Sequence, residues 1–329
     1  MDRFRLGLVG TGLITASSHL PAALGLPDVE VAAFVDSVPE RAMALTRQYG
    51  LSARVAPRVQ DILDTVDGVI IATPNSSHCN IALSCIEAGV HALIEKPLAS
   101  TVREGTAIAD AASRAGIVVA TGFCTRFQPE VILLKELLDG GYFGQVTRFA
   151  HQFGSAGGWP SLSAYNLSRH EAGGGVLVVT GSHFLDRMLY FWGEPVSANL
   201  TDDSFGGPEA NCTATFHYQA FQGIARYSKT ARLPAGLVVE TDRGIVALRD
   251  AYAAPIRFFP RSHPGFCETV SRAGEQAQEA DVFQLQIMDF IDACRSRRPP
   301  RVDARQGVAS LRLTEMLYAN RSAIREEWY

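Results

Sequence analysis

Residues 4–15 read FRLGLVGTGLIT, and this stretch decides the fold. Phe4 to Val9 is a short apolar run of the kind that forms a buried strand. It breaks at Gly10-Thr11-Gly12, and a helix-compatible stretch follows to Leu24. Glycine at position 10 permits a tight turn. Glycine at 12 lets backbone N–H groups approach a pyrophosphate where the helix opens, at Leu13 and Ile14. The third position of such a fingerprint is Gly or Ala; here it is Thr15, followed by Ala16. The next apolar run, Val29 to Val35, ends at Asp36. A carboxylate there accepts hydrogen bonds from the adenosine ribose hydroxyls and repels a 2′-phosphate, so NAD is expected over NADP. Ser37 and Arg41 stand next to it as the phosphate clamp that NADP would need. The plain alternative is a glycine turn and a surface acid with no ligand. Their joint placement, after strand one and at the end of strand two, argues against it.

Outward from this stretch the chain alternates. A helix is expected over 39–49, with Pro39 at its start, where a missing N–H costs little. Then come a strand at 67–72, a helix at 78–88, a strand at 90–94, a helix at 102–115 and a strand at 117–121. Short apolar runs alternating with helices imply an α/β unit, a doubly wound parallel sheet covered on both faces. After residue 122 the pattern changes. A helix at 129–138, a strand at 145–153, a polar loop at 154–172 and a helix at 175–192 lead into strand-like stretches between 196 and 248. No helix interrupts those stretches, which predicts an α+β unit with a large, mostly antiparallel open sheet. Helices are expected near 281–297 and 304–325. The domains are therefore set at 1–122 and 123–329, with the last helices free to pack back on the first.

The 329 residues carry 30 Lys+Arg against 34 Asp+Glu, a net charge of −4, which offers a polyanion no basic surface. Hydrophobic residues at 47% and charged ones at 19% suit a globular chain. The apolar run at 67–73 is far below the ~20 residues of a membrane span. The opening MDRFRLGLVGTG reads as a first strand and not as a signal peptide. Cysteines 79, 85, 124, 212, 267 and 294 form no CxxC, and no His/Cys/Asp/Glu spacing suggests a metal. Reduced thiols in a cytoplasmic protein are the expectation.

Six motifs extend the reading: GLVGTG (7–12), ATPNSSH (72–78), EKP (95–97), GFCTRF (122–127), GGGVLVVTGSHFLD (173–186) and RPPRVDARQGVASL (298–311). Together they resemble the glucose–fructose oxidoreductase, inositol dehydrogenase and MocA (Gfo/Idh/MocA) family over nearly the whole length. The resemblance implies a Rossmann domain followed by a domain whose open sheet often serves oligomerisation, as a homodimer or homotetramer. It also implies NAD(P)-dependent oxidation or reduction of a hydroxyl, usually on a sugar or cyclitol.

Lys96 stands at a strand's C-terminal end, where open α/β sheets bind ligands. A lysine there can hydrogen-bond a substrate hydroxyl and stabilise developing alkoxide; without the resemblance, a solvated strand-end lysine would be the simpler account. By resemblance, Glu95 lies near the nicotinamide end of the cofactor, and Thr73, Pro74, Asn75 and His78 flank the nicotinamide ribose. His183 is the expected acid/base, against the bland reading of a packed helical histidine. The family places aspartate four residues earlier, and this chain has Val179. Asp186, one turn on, recurs mainly as a structural residue. Tyr165 is the possible replacement acid/base, given help from a cation such as Lys96. Trp159, Tyr165, Asn166 and Arg169 could read a sugar face and its hydroxyls, or form an ordinary surface loop. Arg126 is expected at the domain junction or the substrate side. The histidines at 19, 91, 151, 170, 217 and 263 receive no role.

The leading expectation is an NAD-dependent dehydrogenase or reductase of a sugar, cyclitol or related polyol. Its rivals are a family member that binds dinucleotide without turnover, which Val179 favours, and a glycosidase that uses held NAD for transient oxidation and elimination.

Overall fold

The computed structural model describes residues 2–157, 168–251, 254–271 and 281–324. Among these residues the first sheet holds β1 (Phe4–Val9), β2 (Val29–Val35), β3 (Arg54–Ala56), β4 (Gly68–Ile71), β5 (His91–Glu95) and β6 (Val119–Gly122). The strands run parallel in the order β3-β2-β1-β4-β5-β6. Their interior residues are apolar on both faces, as in the wholly buried GVII of β4, because helices cover both sides. Those helices are α1 (Leu20–Leu24), α2 (Pro39–Tyr49), α3 (His78–Glu87) and α4 (Val102–Ala115). Helix α4 starts where the Thr101 side chain accepts from Glu104 N and stops at Gly116, φ +66°. Strand order reverses between β1 and β4, the switch point at whose C-terminal side open α/β sheets bind ligands.

The chain then forms α5 (Pro129–Asp139), β7 (Val146–Gly154), α6 (Arg169–Ala172) and α7 (Ser182–Trp192). β8 (Ser197–Asp202), β9 (Asn211–His217), β10 (Gln222–Ser228), β11 (Leu233–Thr241), β12 (Gly244–Arg249), β13 (Ile256–Pro260) and β14 (Glu268–Val270) follow. After α8 (Val282–Ser296) and α9 (Ala304–Ala319) comes β15 (Arg321–Ala323). The second sheet is ordered β14-β13-β12-β11-β7-β10-β9-β8-β15, antiparallel except for the β7–β10 and β8–β15 pairs. One face is buried: Cys212, Ala214 and Phe216 of β9 lie in one core with Leu185, Met188 and Phe191 of α7.

Helices α8 and α9 return to the first layer. Ile287, Phe290 and Ile291 join the core of Phe4, Leu6 and Leu8, while Val308 and Leu311 join that of Leu98 and Ile108. No described helix is long and apolar enough to cross a membrane.

Four features differ from the sequence expectations. Strands β3, β14 and β15 are three residues each, too short to show a pattern, and β13 lies beyond the stretches read as strands. The last helix stops at Ala319 rather than continuing to residue 325. The Asn320 side chain donates to Met316 O (3.1 Å) and Ala198 O (3.2 Å), filling the helix end and turning the chain onto β8. The helices after the glycine turn and after the glycine triplet each contain a π-helical turn, Thr15–His19 and Leu177–Gly181. Both turns lie in the functional site.

Candidate functional site

The phosphate end is built by β1 and the turn after it. Gly10 has φ +89°, and a Cβ there would come 2.4 Å from Ala72 O, so both conformation and space require glycine. Gly12 is different: a Cβ would meet nothing within 4 Å, so protein packing does not dictate the residue. The open space above it, beside the N–H groups that start the helix, fits a pyrophosphate. Thr15 replaces the third small residue without loss, because its buried hydroxyl donates to Gly10 O (2.6 Å) and locks the turn. Leu13 and Ile14 are exposed at the helix start.

Asp36 is fixed from both sides. Oδ2 accepts from Thr11 N (2.8 Å) and Thr11 Oγ1 (2.6 Å), and Oδ1 accepts from Val38 N (2.8 Å). The carboxylate is thus held at the end of β2, where a ribose would lie. Ser37 and Arg41 are exposed next to it, and Arg41 makes no ion pair among the described residues.

His78 requires a correction. It is wholly buried, and its ring lies between Thr73 O (Nε2, 2.9 Å) and Pro97 O (Nδ1, 3.0 Å). Burial lowers its pKa, and the ring faces protein on both sides. It therefore ties the end of β4 to the end of β5 and does not face a cofactor. Asn75 is also buried; its Nδ2 donates to Ala172 O (2.8 Å) and links the two layers. Thr73 and Pro74 keep some exposure.

The chemical end lies where β5 meets the second π-turn. Lys96 Nζ donates to Val179 O (2.7 Å), across 83 residues of chain. The side chain at 179 is not an acid, yet its carbonyl holds the lysine. Burial pushes the Lys96 pKa down, Glu95 opposes that, and Lys229 adds to it. Glu95 Oε1 accepts from His19 Nε2 (2.8 Å), and Oε2 accepts from Lys96 N (3.1 Å). Burial works against the Glu95 carboxylate, but the His19 hydrogen bond and the nearby cations outweigh it and lower its pKa. His183 follows the π-turn, edge-on to Phe123 at 6.2 Å. Its Nδ1 is buried without a hydrogen-bond partner. Burial, with the charge of Lys96, lowers its pKa to about 3. Lys96, Glu95 and His183 keep some contact with solvent.

The π-turn is positioned by the glycine triplet. A Cβ on Gly175 would sit 2.0 Å from Glu209 O. That approach lets Val176 N donate to Glu209 O (2.8 Å), while Gly175 N and Leu177 N donate to Glu209 Oε1 (both 3.0 Å).

Of the two places expected for Arg126, the structure puts it at the junction. It forms a bidentate pair with Asp186 (2.6 and 2.8 Å), stacks over Tyr190 and is buried, so it supports α7 from below instead of reaching a substrate. Trp159, Tyr165 and Asn166 lie outside the described residues, as does the side chain of Arg169. Sequence reasoning missed His19 and His151. His19 had a signal, since it lies two turns along the fingerprint helix from Gly12. His151 had none: its partner Asp250 (2.7 Å) also pairs with Arg187 (2.6 Å), and only the fold brings them together.

Two family models match the chain. Residues 4–123 match an oxidoreductase family with an NAD-binding Rossmann fold, and residues 131–246 match the GFO/IDH/MocA C-terminal domain. D-glucoside 3-dehydrogenase of Escherichia coli (strain K12) is 28% identical over 95% of this chain and 94% of its own. The rhizopine catabolism protein MocA of Rhizobium meliloti is 28% identical over 96% and 94%. Among solved structures, a levoglucosan dehydrogenase in complex with NADH and levoglucosan shares the fold, with TM-score 0.86 at 20% identity over 97% of both chains. The fingerprint turn, the EKP strand end and both matched halves lead to one conclusion: the chain belongs to the GFO/IDH/MocA family of oxidoreductases.

Proposed function

We propose that this protein is an NAD-dependent dehydrogenase that moves a hydride between nicotinamide and a carbinol or carbonyl carbon of a sugar, cyclitol or related polyol. In this reading residues 1–122 hold the cofactor and 123–329 the substrate. The observation that carries it is the Lys96–Val179 hydrogen bond beside His183 at the C-terminal end of β5. The names of the relatives agree with it, since they include a D-glucoside dehydrogenase and a scyllo-inositol dehydrogenase. Gly10, Gly12, Leu13, Ile14 and Asp36 would hold the dinucleotide, with Thr73, Pro74 and Glu95 near its reactive end. The nicotinamide supplies the hydride acceptor or donor.

The Lys96 ammonium can exchange the Val179 carbonyl for a substrate oxygen, one hydrogen bond for another, and stabilise negative charge as it develops there. Burial and the Lys96 charge lower the His183 pKa to about 3, which favours the neutral ring and leaves a lone pair for the hydroxyl proton. With Nδ1 sealed, Nε2 is the nitrogen that acts. An imidazolium here is costly, so it returns its proton readily in the reductive direction. Tyr165 is the competing acid/base.

The exposed face of the second sheet carries Val238, Ile245 and Phe259 on β11–β13, which supports self-association there. The test of the function is NADH formation over a panel of sugars and cyclitols. Lys96→Met should lower kcat by roughly 10²-fold or more while NAD affinity stays near normal. His183→Ala should be crippling and Tyr165→Phe mild. The reverse order would assign the proton to Tyr165. NAD binding without turnover on any polyol would favour the non-catalytic reading.

A further inference from the structure

Beyond the residues that would hold and transform a carbinol, a cation near the site, Lys229, has no partner among the described residues. β10 ends at Ser228, and the backbone of Lys229 just past it bonds to the segments on both sides: Lys229 N donates to Ala210 O (2.9 Å), and Gly157 N donates to Lys229 O (2.9 Å). Tyr227 packs against the second π-turn, where a Cβ on Gly181 would sit 3.0 Å from its ring. Lys229 therefore stands two residues past the side chain that packs on the second π-turn, near enough to Lys96 for the two charges to interact.

Its ammonium is half-buried, and no described residue gives it a hydrogen bond or an ion pair. The other charges of the junction are already matched. Glu95 is held by His19, Asp186 by Arg126, and Asp250 by Arg187 and His151. Glu209 is the carboxylate whose charge reaches Lys229, but it makes no salt bridge to it, and Oε1 is occupied by Gly175 N, Leu177 N and Tyr318 Oη. Burial lowers the pKa of Lys229, and its charge in turn depresses that of Lys96. Lys96 and Lys229 are thus close enough for their charges to repel, and the carboxylate whose charge reaches Lys229 is held by other donors through Oε1. Half-burying an unpaired charge costs free energy that the protein alone does not recover.

We propose that Lys229 is an anion-reading residue of the substrate site, and that the substrate is an acidic sugar carrying a carboxylate or a phosphate. The placement rests on the dehydrogenase reading, in which the substrate lies against Lys96 and His183. Charge-assisted hydrogen bonding to Lys229 and the resulting relief of repulsion at Lys96 would both favour such a substrate.

The test is calorimetric titration of the NADH-loaded protein with glucuronate, glucose 6-phosphate and glucose, for the parent, Lys229→Met and Lys229→Arg. At least one acid should bind tenfold or more tightly than glucose. The preference should vanish in Lys229→Met and largely survive in Lys229→Arg. Which acid wins separates a carboxylate from a phosphate substituent. Equal or tighter binding of glucose by the parent, no binding of either acid, or an acid preference unchanged in Lys229→Met would overturn the proposal. Turnover is measured separately: acid-selective binding without NADH formation would leave the anion site standing and remove the dehydrogenase reading. Turnover of neutral sugars alone, with no acid preference, would do the opposite.

Discussion

A lysine held by a main-chain carbonyl differs from one held by a carboxylate. The Val179 carbonyl orients Lys96 at 2.7 Å but contributes no net charge, so nothing on that side raises the pKa of His183 against burial. Val179→Asp would add that charge. It should stabilise the imidazolium and move the pH–rate limb that requires neutral His183 upward by about one unit or more. A pH profile on one substrate checks this, and an unmoved limb would mean that position 179 does not sense the imidazole. Asp36 sets the second prediction at this scale. Thr11 and Val38 fix its carboxylate where a 2′-phosphate would lie, so NAD should bind more tightly than NADP in paired calorimetric titrations. Asp36→Ser should narrow the gap, with exposed Arg41 available to the phosphate. Tighter NADP binding by the parent would overturn the assignment.

Among elements, helix α7 is attached to the second sheet by charge as well as by apolar packing. Arg187 of α7 and His151 of β7 both bind Asp250, just past β12. Burial acts to raise the Asp250 pKa, but Arg187 and then His151 outweigh it and bring it down to about 2. A carboxylate depressed on folding contributes stability that is complete above its unfolded pKa and is lost as pH falls through the folded value. Asp250→Asn should therefore remove an acid-sensitive component between about pH 4 and pH 2. It should also cost about 3 kcal/mol at neutral pH, because a buried guanidinium loses its partner. Melting curves across pH for both proteins measure each effect.

This scale also shows what the sequence could reveal. The parallel sheet was legible because its strands are short apolar runs set between helices, and the cofactor turn because Gly10 and Asp36 fall at strand ends. The π-turns were not legible, since residues 15–19 and 177–181 keep ordinary helical patterning and the extra backbone residue leaves no compositional mark. His78 stands in the expected motif, yet both its ring nitrogens are taken by main-chain carbonyls. A motif places a residue near a site, whereas burial and hydrogen-bond partners determine where its side chain points.

At the scale of the whole molecule, helices α8 and α9 come back from the second sheet to the layer in which β1 lies. The edge of β6 is covered by the segment before α9: Thr121 N donates to Val302 O (2.9 Å), and Thr121 Oγ1 donates to Asp303 O (3.1 Å). Helix α9 then packs so tightly on α4 that a Cβ on Gly105 would come 2.7 Å from Leu311. A chain ending after residue 271 would leave β6 with an open edge and strip Leu98 and Ile108 of their cover. Such a truncation should be insoluble or fail to bind NAD, which expression and a cofactor titration would show. A soluble truncated protein with parental NAD affinity would mean that α8 and α9 are dispensable to the first layer. The same closure has a consequence for synthesis. On the ribosome β1–β6 emerge before the second sheet but are covered only once α8 and α9 have followed it, so the order in which these elements are made is not the order in which the first layer can close.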